Sequence, residues 1–168
     1  MSESIRNMSL AAIAQALRDG SLSAVELTQN CIDAHDASLN AYREWTPELA
    51  LEQARAADTA FANAQDSGVL QGIPISVKDL YGVNDTQTFA GSPAPMPPPW
   101  QAEGDLISGL RAQHAVFSGK THTVEFAFGG LGVNSHWGTP RNPWDANTHR
   151  VPGGSSSGAG VSLCEGTA

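Results

Sequence analysis

Only two lysines occur in the 168 residues, and one of them, Lys78, stands where ordinary solvation does not place a lysine. It closes the β-rich apolar run Gly72-Ile73-Pro74-Ile75-Ser76-Val77, followed by Asp79-Leu80. Far along the chain lies a run of small residues after a proline, Arg150-Val151-Pro152-Gly153-Gly154-Ser155-Ser156-Ser157-Gly158-Ala159-Gly160. Such a run lets backbone N–H groups approach a ligand closely, and the tail from Ala159 to Leu163 is suited to begin a helix whose amino end attracts negative charge. A hydroxyl is a poor nucleophile until a base takes its proton, and a lysine serves as that base only if desolvation lowers its pKa enough to populate the neutral amine. Lys78 is the better candidate for that task. Lys120, after Ser118-Gly119 at a strand exit, is expected to be a solvated ammonium.

Competing readings of the serine loop are weaker. Gly154-Ser155-Ser156-Ser157-Gly158 spells the G-x-S-x-G nucleophile elbow with Ser156 at its centre, but that elbow needs a strand before it, and Asn147 to Pro152 is a poor strand. The elbow also needs an acid and a histidine after the serine, and ten residues follow Gly158. A phosphate-binding loop would need a lysine after its glycines, and none follows. A flexible linker is seldom preceded by so specific a run as Thr139-Pro140-Arg141-Asn142-Pro143-Trp144-Asp145.

The elements that must position these groups read as follows. Leu10, Ile13, Ala14 and Leu17 follow helical spacing over Ser9 to Arg18, with Ser9 as cap and Asp19-Gly20 as stop. A second helix is expected from Ser23 to Ala37, with Ser23 and Glu26 in the capping-box arrangement. A third, alanine-rich, runs from Pro47 to Gln65 with proline in its first turn. After Asp66-Ser67-Gly68 the texture becomes β-branched, with a buried strand at Val69 and Ile73 to Val77. The five prolines between Gly91 and Pro99 exclude a helix or central strand and imply an extended surface loop. A short helix from Ala102 to Gln113 leads into a strand over Ala115 to Gly119, a helix-then-strand α/β unit. The expected architecture is therefore α/β, a mixed sheet flanked by helices. The mainly helical residues 1–66 look like scaffold, and the functional half of the chain begins at residue 67.

Size and composition fit one globular unit: 40% hydrophobic and 15% charged residues. The net charge of −8 is spread along the chain and leaves no basic patch, which argues against direct nucleic-acid binding. Cys31 and Cys164 match no metal-ligand spacing and are expected to be free and buried, in a cytoplasmic setting. The polar start Met1 to Arg6 holds no apolar signal core, and no stretch is long enough to span a bilayer. His35, His114, His122, His136 and His149 show no paired ligand spacing, so no metal is expected. Glu125 is expected to order its neighbouring loop in preference to serving as a pocket acid. For Trp100, Trp137 and Trp144, burial is the expected use, with stacking on a substrate as the alternative.

Four blocks in order now carry a resemblance. Gly72 to Asp79, Gly119-Lys120-Thr121 with Glu125-Phe126-Ala127-Phe128-Gly129, Gly138 to Asp145, and Pro152 to Gly158 together resemble the amidase signature family. The resemblance spans Ser9 to the end, the helical first third matching only in pattern. It implies hydrolysis or transfer of amide groups by a Ser, cis-Ser, Lys triad, without metal or organic cofactor, on a small-molecule amide. By position Lys78 resembles the triad lysine and Ser155 the bridging serine, preceded by a cis peptide that Gly153 and Gly154 give the backbone freedom to adopt. Phe128 and Gly129 fall where the family lines its acyl pocket, against a plain core reading of Phe126 and Phe128. Gly153, Gly154 and Ser156 complete the expected substrate-binding set.

In the family the acylated serine follows the bridging serine by some two dozen residues, in a second Gly-Gly-Ser block that supplies the oxyanion hole. The resemblance therefore makes residues 1–168 one incomplete domain, an amino-terminal portion with a mainly helical scaffold over 1–66 and the start of a catalytic core over 67–168, inactive in isolation, with its nucleophile beyond Ala168. Ser156 and Ser157 are too close in sequence to Ser155 to replace it. Two alternatives stand beside the hydrolase: the A subunit of a tRNA-dependent amidotransferase, and a non-catalytic remnant that binds an amide or a partner. A homodimer is left open.

Overall fold

The computed structural model describes Ile5 and residues 7–168, so most of the polar start Met1 to Arg6 lies outside the described residues. Helix α1 (Leu10–Asp19) starts where the Ser9 hydroxyl accepts from the Ala12 N–H and stops at Gly20, whose φ of 75° suits a residue without Cβ. Helix α2 (Ala24–Asp33) begins with the complete Ser23/Glu26 capping box. It is shorter than its sequence suggests, because the chain turns at Ala34 and runs through a 3-10 turn at Ala37–Leu39. Its first N–H groups, at Ala24 and Val25, also donate to the Asp58 carboxylate, at 2.7 and 3.1 Å. Asp58 belongs to α3 (Pro47–Ala62), so one helix caps another.

Between α2 and α3 runs a strand the sequence did not announce, β1 (Tyr42–Trp45). It pairs antiparallel with β3 (Val116–Thr121), which pairs parallel on its other side with β2 (Pro74–Lys78). The order β1-β3-β2 makes the expected mixed sheet, and β3 at its centre is buried along its whole length. The parallel pair is connected through residues 79–115, which include the exposed proline-rich loop and α4 (Asp105–Ala112). Val69 is exposed in a turn, so the strand begins only at Pro74.

Small residues let the layers approach. Ala50, Ala54 and Ala57 form a buried stripe along α3 that packs with Leu17, Ala24, Leu27, Ile73 and Val116. Phe117, one residue after Val116, faces the other way and joins Val77, Val83 and Ile107, the last from α4. The closing helix α5 (Ser157–Glu165) lies against the sheet through Gly158, where an added Cβ would stand 2.0 Å from the Ala41 carbonyl and 2.6 Å from the His122 nitrogen. Its Val161 packs with Ala41 and Tyr42.

Candidate active site

The carboxyl ends of β2 and β3 and the amino end of α5 meet at one place. There the Lys78 ammonium lies 2.7 Å from the Ser155 hydroxyl, although 77 residues separate them in sequence. Parallel pairing sets Lys78 beside Thr121, and the Asp79 N–H donates to the Thr121 carbonyl, which fixes the end of β2. Lys78 is half-buried, and that desolvation lowers its pKa below the usual lysine range.

Ser155 is held by its backbone. Its carbonyl accepts from the Val124 N–H at 2.9 Å, from the Thr123 hydroxyl at 3.1 Å and from the Ser157 N–H at 3.0 Å. The Gly154–Ser155 peptide is cis. A Cβ on Gly154 would come within 2.7 Å of both the Gly129 carbonyl and the Gly132 nitrogen, so the serine loop and the 129–132 segment touch backbone to backbone. Gly153, with φ of 84°, makes the bend before it. Ser156, exposed, is the residue at which α5 begins.

Beside this pair a cleft of about 640 Å³ is lined by Val124, Glu125, Phe126, Phe128, Asn134 and His136. Phe128 is 94% exposed and Phe126 58%, so the core reading of these two rings is wrong: they stand at the wall of an open cleft. Their segment departs from ordinary backbone. Phe126 and Ala127 have positive φ, and the Phe126 N–H donates to the carbonyl of Ala90, itself at positive φ. Glu125 reaches His136 at 3.5 Å, in keeping with an acid that orders its neighbouring loop.

Sequence reasoning overlooked the residue that ties these loops together. Asn134, buried, donates to the carbonyls of Gly91 and Thr123 and accepts from the N–H groups of His136 and Trp137. All four of these hydrogen bonds go to backbone, so it acts as a bracket between three loops. Its place in a run rich in glycine, proline and asparagine was the only available signal.

Several expectations need correction. Lys120 is not solvated: it is 1% exposed, lies 2.9 Å from the Asp79 carboxylate, and donates to the Thr88 hydroxyl. Trp100 and Trp144 are exposed, because the proline-rich loop and the 141–150 turn offer no interior to receive them. Of the two cysteines only Cys31 is buried, and Cys164 is exposed. Among the described residues no cluster of three or more histidine, cysteine or acidic side chains could hold a metal, and no helix is long and apolar enough to cross a membrane. A second cavity, of about 330 Å³, is lined by apolar residues such as Ile13, Leu27 and Leu163 and includes neither Lys78 nor Ser155.

Comparison with known proteins places this geometry in company. The Amidase family model matches residues 23–168. A 2-amino-5-chloromuconic acid deaminase from Comamonas testosteroni is 54% identical over 165 residues, which cover 96% of this chain and 36% of that protein. The A subunit of a glutamyl-tRNA(Gln) amidotransferase from Chloroflexus aggregans is 41% identical, covering 95% of this chain and 33% of that one. Among solved structures, a crystal structure of an amidase superposes with a TM-score of 0.84 at 32% identity, over 95% of this chain and 37% of that one. A peptide amidase from Stenotrophomonas maltophilia superposes with a TM-score of 0.78 at 29% identity, over 90% of this chain and 33% of that one. The chain thus spans about a third of the length of the relatives it matches.

Proposed function

We propose a function from one premise, that this chain belongs to the amidase family. Lys78 and Ser155 are the base and the proton relay of an amide-cleaving site, and the attacking serine lies in the portion of the domain that these 168 residues do not span. The observation that carries the reading is the 2.7 Å contact between a desolvated amine and a hydroxyl.

In this mechanism the attacking serine gives its proton to Ser155 Oγ while Ser155 gives its own to neutral Lys78 Nζ, and the serine alkoxide adds to the amide carbonyl. Collapse of the tetrahedral intermediate breaks the C–N bond. The proton stored on Lys78 returns through Ser155 to the leaving nitrogen, so that ammonia or an amine departs neutral and an acyl-enzyme remains. Water, deprotonated by the same relay, attacks the ester, and the serine leaves with its proton restored and the acid released. The Ser155 carbonyl is occupied by three donors, which fixes the relay hydroxyl against rotation of its backbone. Phe128, Gly129, Gly153, Gly154 and Ser156 border the acyl group, Phe128 by its ring and the glycines by their backbone. No metal or organic cofactor takes part in this scheme, and the chain itself needs no nucleic-acid surface to carry it out.

Identity to the deaminase, 54%, exceeds that to the amidotransferase chain, 41%, which favours small-molecule C–N cleavage over glutamine-dependent amide transfer. The substrates to try first are therefore a simple carboxamide such as benzamide, which this scheme cleaves with release of ammonia, and a 2-aminomuconic acid, whose C–N bond is not an amide and whose loss of ammonia needs a different step. In the full-length enzyme, Lys78→Ala is expected to abolish ammonia release while far-ultraviolet circular dichroism stays native. Turnover retained in that variant would refute the assignment. Ammonia released by residues 1–168 alone would refute the placement of the attacking serine.

A further inference from the structure

The buried charges next to Lys78 take no part in the proposed proton transfer, yet they account for a feature it needs. Asp79 follows Lys78 directly, and a carboxylate close to an amine favours its charged form. Here that carboxylate is occupied elsewhere. Asp79 Oδ1 lies 2.9 Å from Lys120 Nζ, and Asp79 Oδ2 lies 3.1 Å from Arg43 Nε and accepts from the Phe89 N–H at 3.2 Å. Arg43 in turn contacts Glu44, stacks over the Phe89 ring at 4.6 Å and donates to the Gln87 carbonyl. The result is a row of alternating charge, Lys120, Asp79, Arg43 and Glu44, running across the sheet from the end of β2 to β1. Lys120 and Asp79 are each 1% exposed, so neither has water as an alternative partner.

We propose that Lys120 is a positioning residue for the Lys78–Ser155 pair: together with Arg43 it captures the Asp79 carboxylate and so leaves the Lys78 amine facing a hydroxyl alone. The inference rests on the reading of Lys78 as the base. The acidic groups on α2 and α5, helices packed against β2, are also engaged away from Lys78, and on α4 Asp105 is exposed while Arg111 pairs with Glu103. On α2, Glu26 bonds Ser23 and Asp33 bonds Gln29. On α5, Glu165 bonds His35 and the Asp36 N–H. Next to β3, His122 is kept neutral by burial and bonds Asn40. Desolvation is accordingly the cause of the lowered Lys78 pKa, with no carboxylate offsetting it.

Lysine labelled with carbon-13 at Cε in the full-length enzyme gives one NMR signal per lysine, and the signals of Lys78 and Lys120, the two lysines of residues 1–168, are assigned by their loss in Lys78→Ala and Lys120→Met. The Lys78 titration midpoint is expected to rise by about one unit in Lys120→Met, a roughly tenfold loss of neutral amine, as Asp79 is released toward it. In Asp79→Asn/Lys120→Met, which removes both charges, it is expected to return to the native value. An unchanged midpoint in Lys120→Met overturns the proposal. Should Lys120→Met not fold, Asp79→Asn alone decides: its Lys78 midpoint is expected at or below the native one, and a rise overturns the proposal. Failure of the functional reading looks different, since Lys78→Ala would then keep full turnover while the midpoint in Lys120→Met still moved.

Discussion

The two ends of the parallel pair β2–β3 are built from opposite materials. At the entry end, Ile73, just before β2, and Val116 sit in an apolar layer against the alanine stripe of α3. At the exit end, a few residues further along the same two strands, Lys78, Asp79, Lys120 and Thr121 are drawn together with Ser155 and the start of α5. The entry end fills space, and its worth is burial. The exit end encloses polar groups that cost free energy unless each finds a partner, and the partners it finds leave one amine with only a hydroxyl. Strands that end in a ring of loops can thus separate stability from chemistry along their own length, as open α/β sheets commonly do at their carboxyl ends.

If the division is real, substitutions at the two ends should fail in different assays. Ser155→Ala is expected to lower kcat in the full-length enzyme by roughly 10³-fold, within the range for loss of general acid–base catalysis, with its thermal midpoint nearly unchanged. A loss of stability in place of activity would erase the distinction. Ile73→Ala is expected to do the reverse: about 3 kcal/mol of stability lost in urea unfolding, with kcat of the folded fraction preserved. A fall in kcat there would show that the apolar end also sets the site.

His122 sharpens the comparison, because it lies just past the exit end of β3. Burial, and after it the Arg43 guanidinium, push its pKa down to about 4, against about 6.5 in the unfolded chain. Between these values the unfolded chain holds a proton that the folded chain refuses. Stability should therefore be full above pH 6.5 and decline as pH falls toward 4, by about 3 kcal/mol from this group. Urea midpoints at pH 7.5 and 4.5 should differ less in His122→Gln than in the native chain, and an equal difference would place the titration elsewhere. The smallest effect belongs to the scaffold: Asp58→Ala removes the acceptor for two N–H groups at the start of α2 and should cost about 2 kcal/mol without altering kcat.

How much of this was legible in the sequence depends on how local the cause was. The caps Ser9 and Ser23, the alanine periodicity of α3 and the β-branched run before Lys78 act within a few residues, and each element lies close to where those signals put it. Strand β1 was not visible. Its sequence, Tyr42-Arg43-Glu44-Trp45, carries two charges, and its pairing is supplied by Gly119, Lys120 and Thr121, more than 70 residues away. For the same reason Lys120 was misread: a lysine at a strand end is normally solvated, and the groups that make its burial tolerable, Asp79 and Thr88, come from another part of the chain. The exposed Phe128, Trp100 and Trp144 show the limit of reading aromatic residues as core. Lys78 drew attention because an apolar strand ends in it, and Ser155 through the resemblance of its loop to the amidase signature; the structure brings their side chains to 2.7 Å.

The proposed chemistry stands on a lysine that must spend part of its time uncharged. Arginine keeps a positive charge at this position and has no accessible neutral form, so it separates a base from a mere counter-charge. Ammonia release should be measured for Lys78→Arg in the full-length enzyme across pH 6 to 10. A base at this position predicts a loss of turnover as deep as that of Lys78→Ala at every pH, and turnover near the native rate in the arginine variant would contradict it.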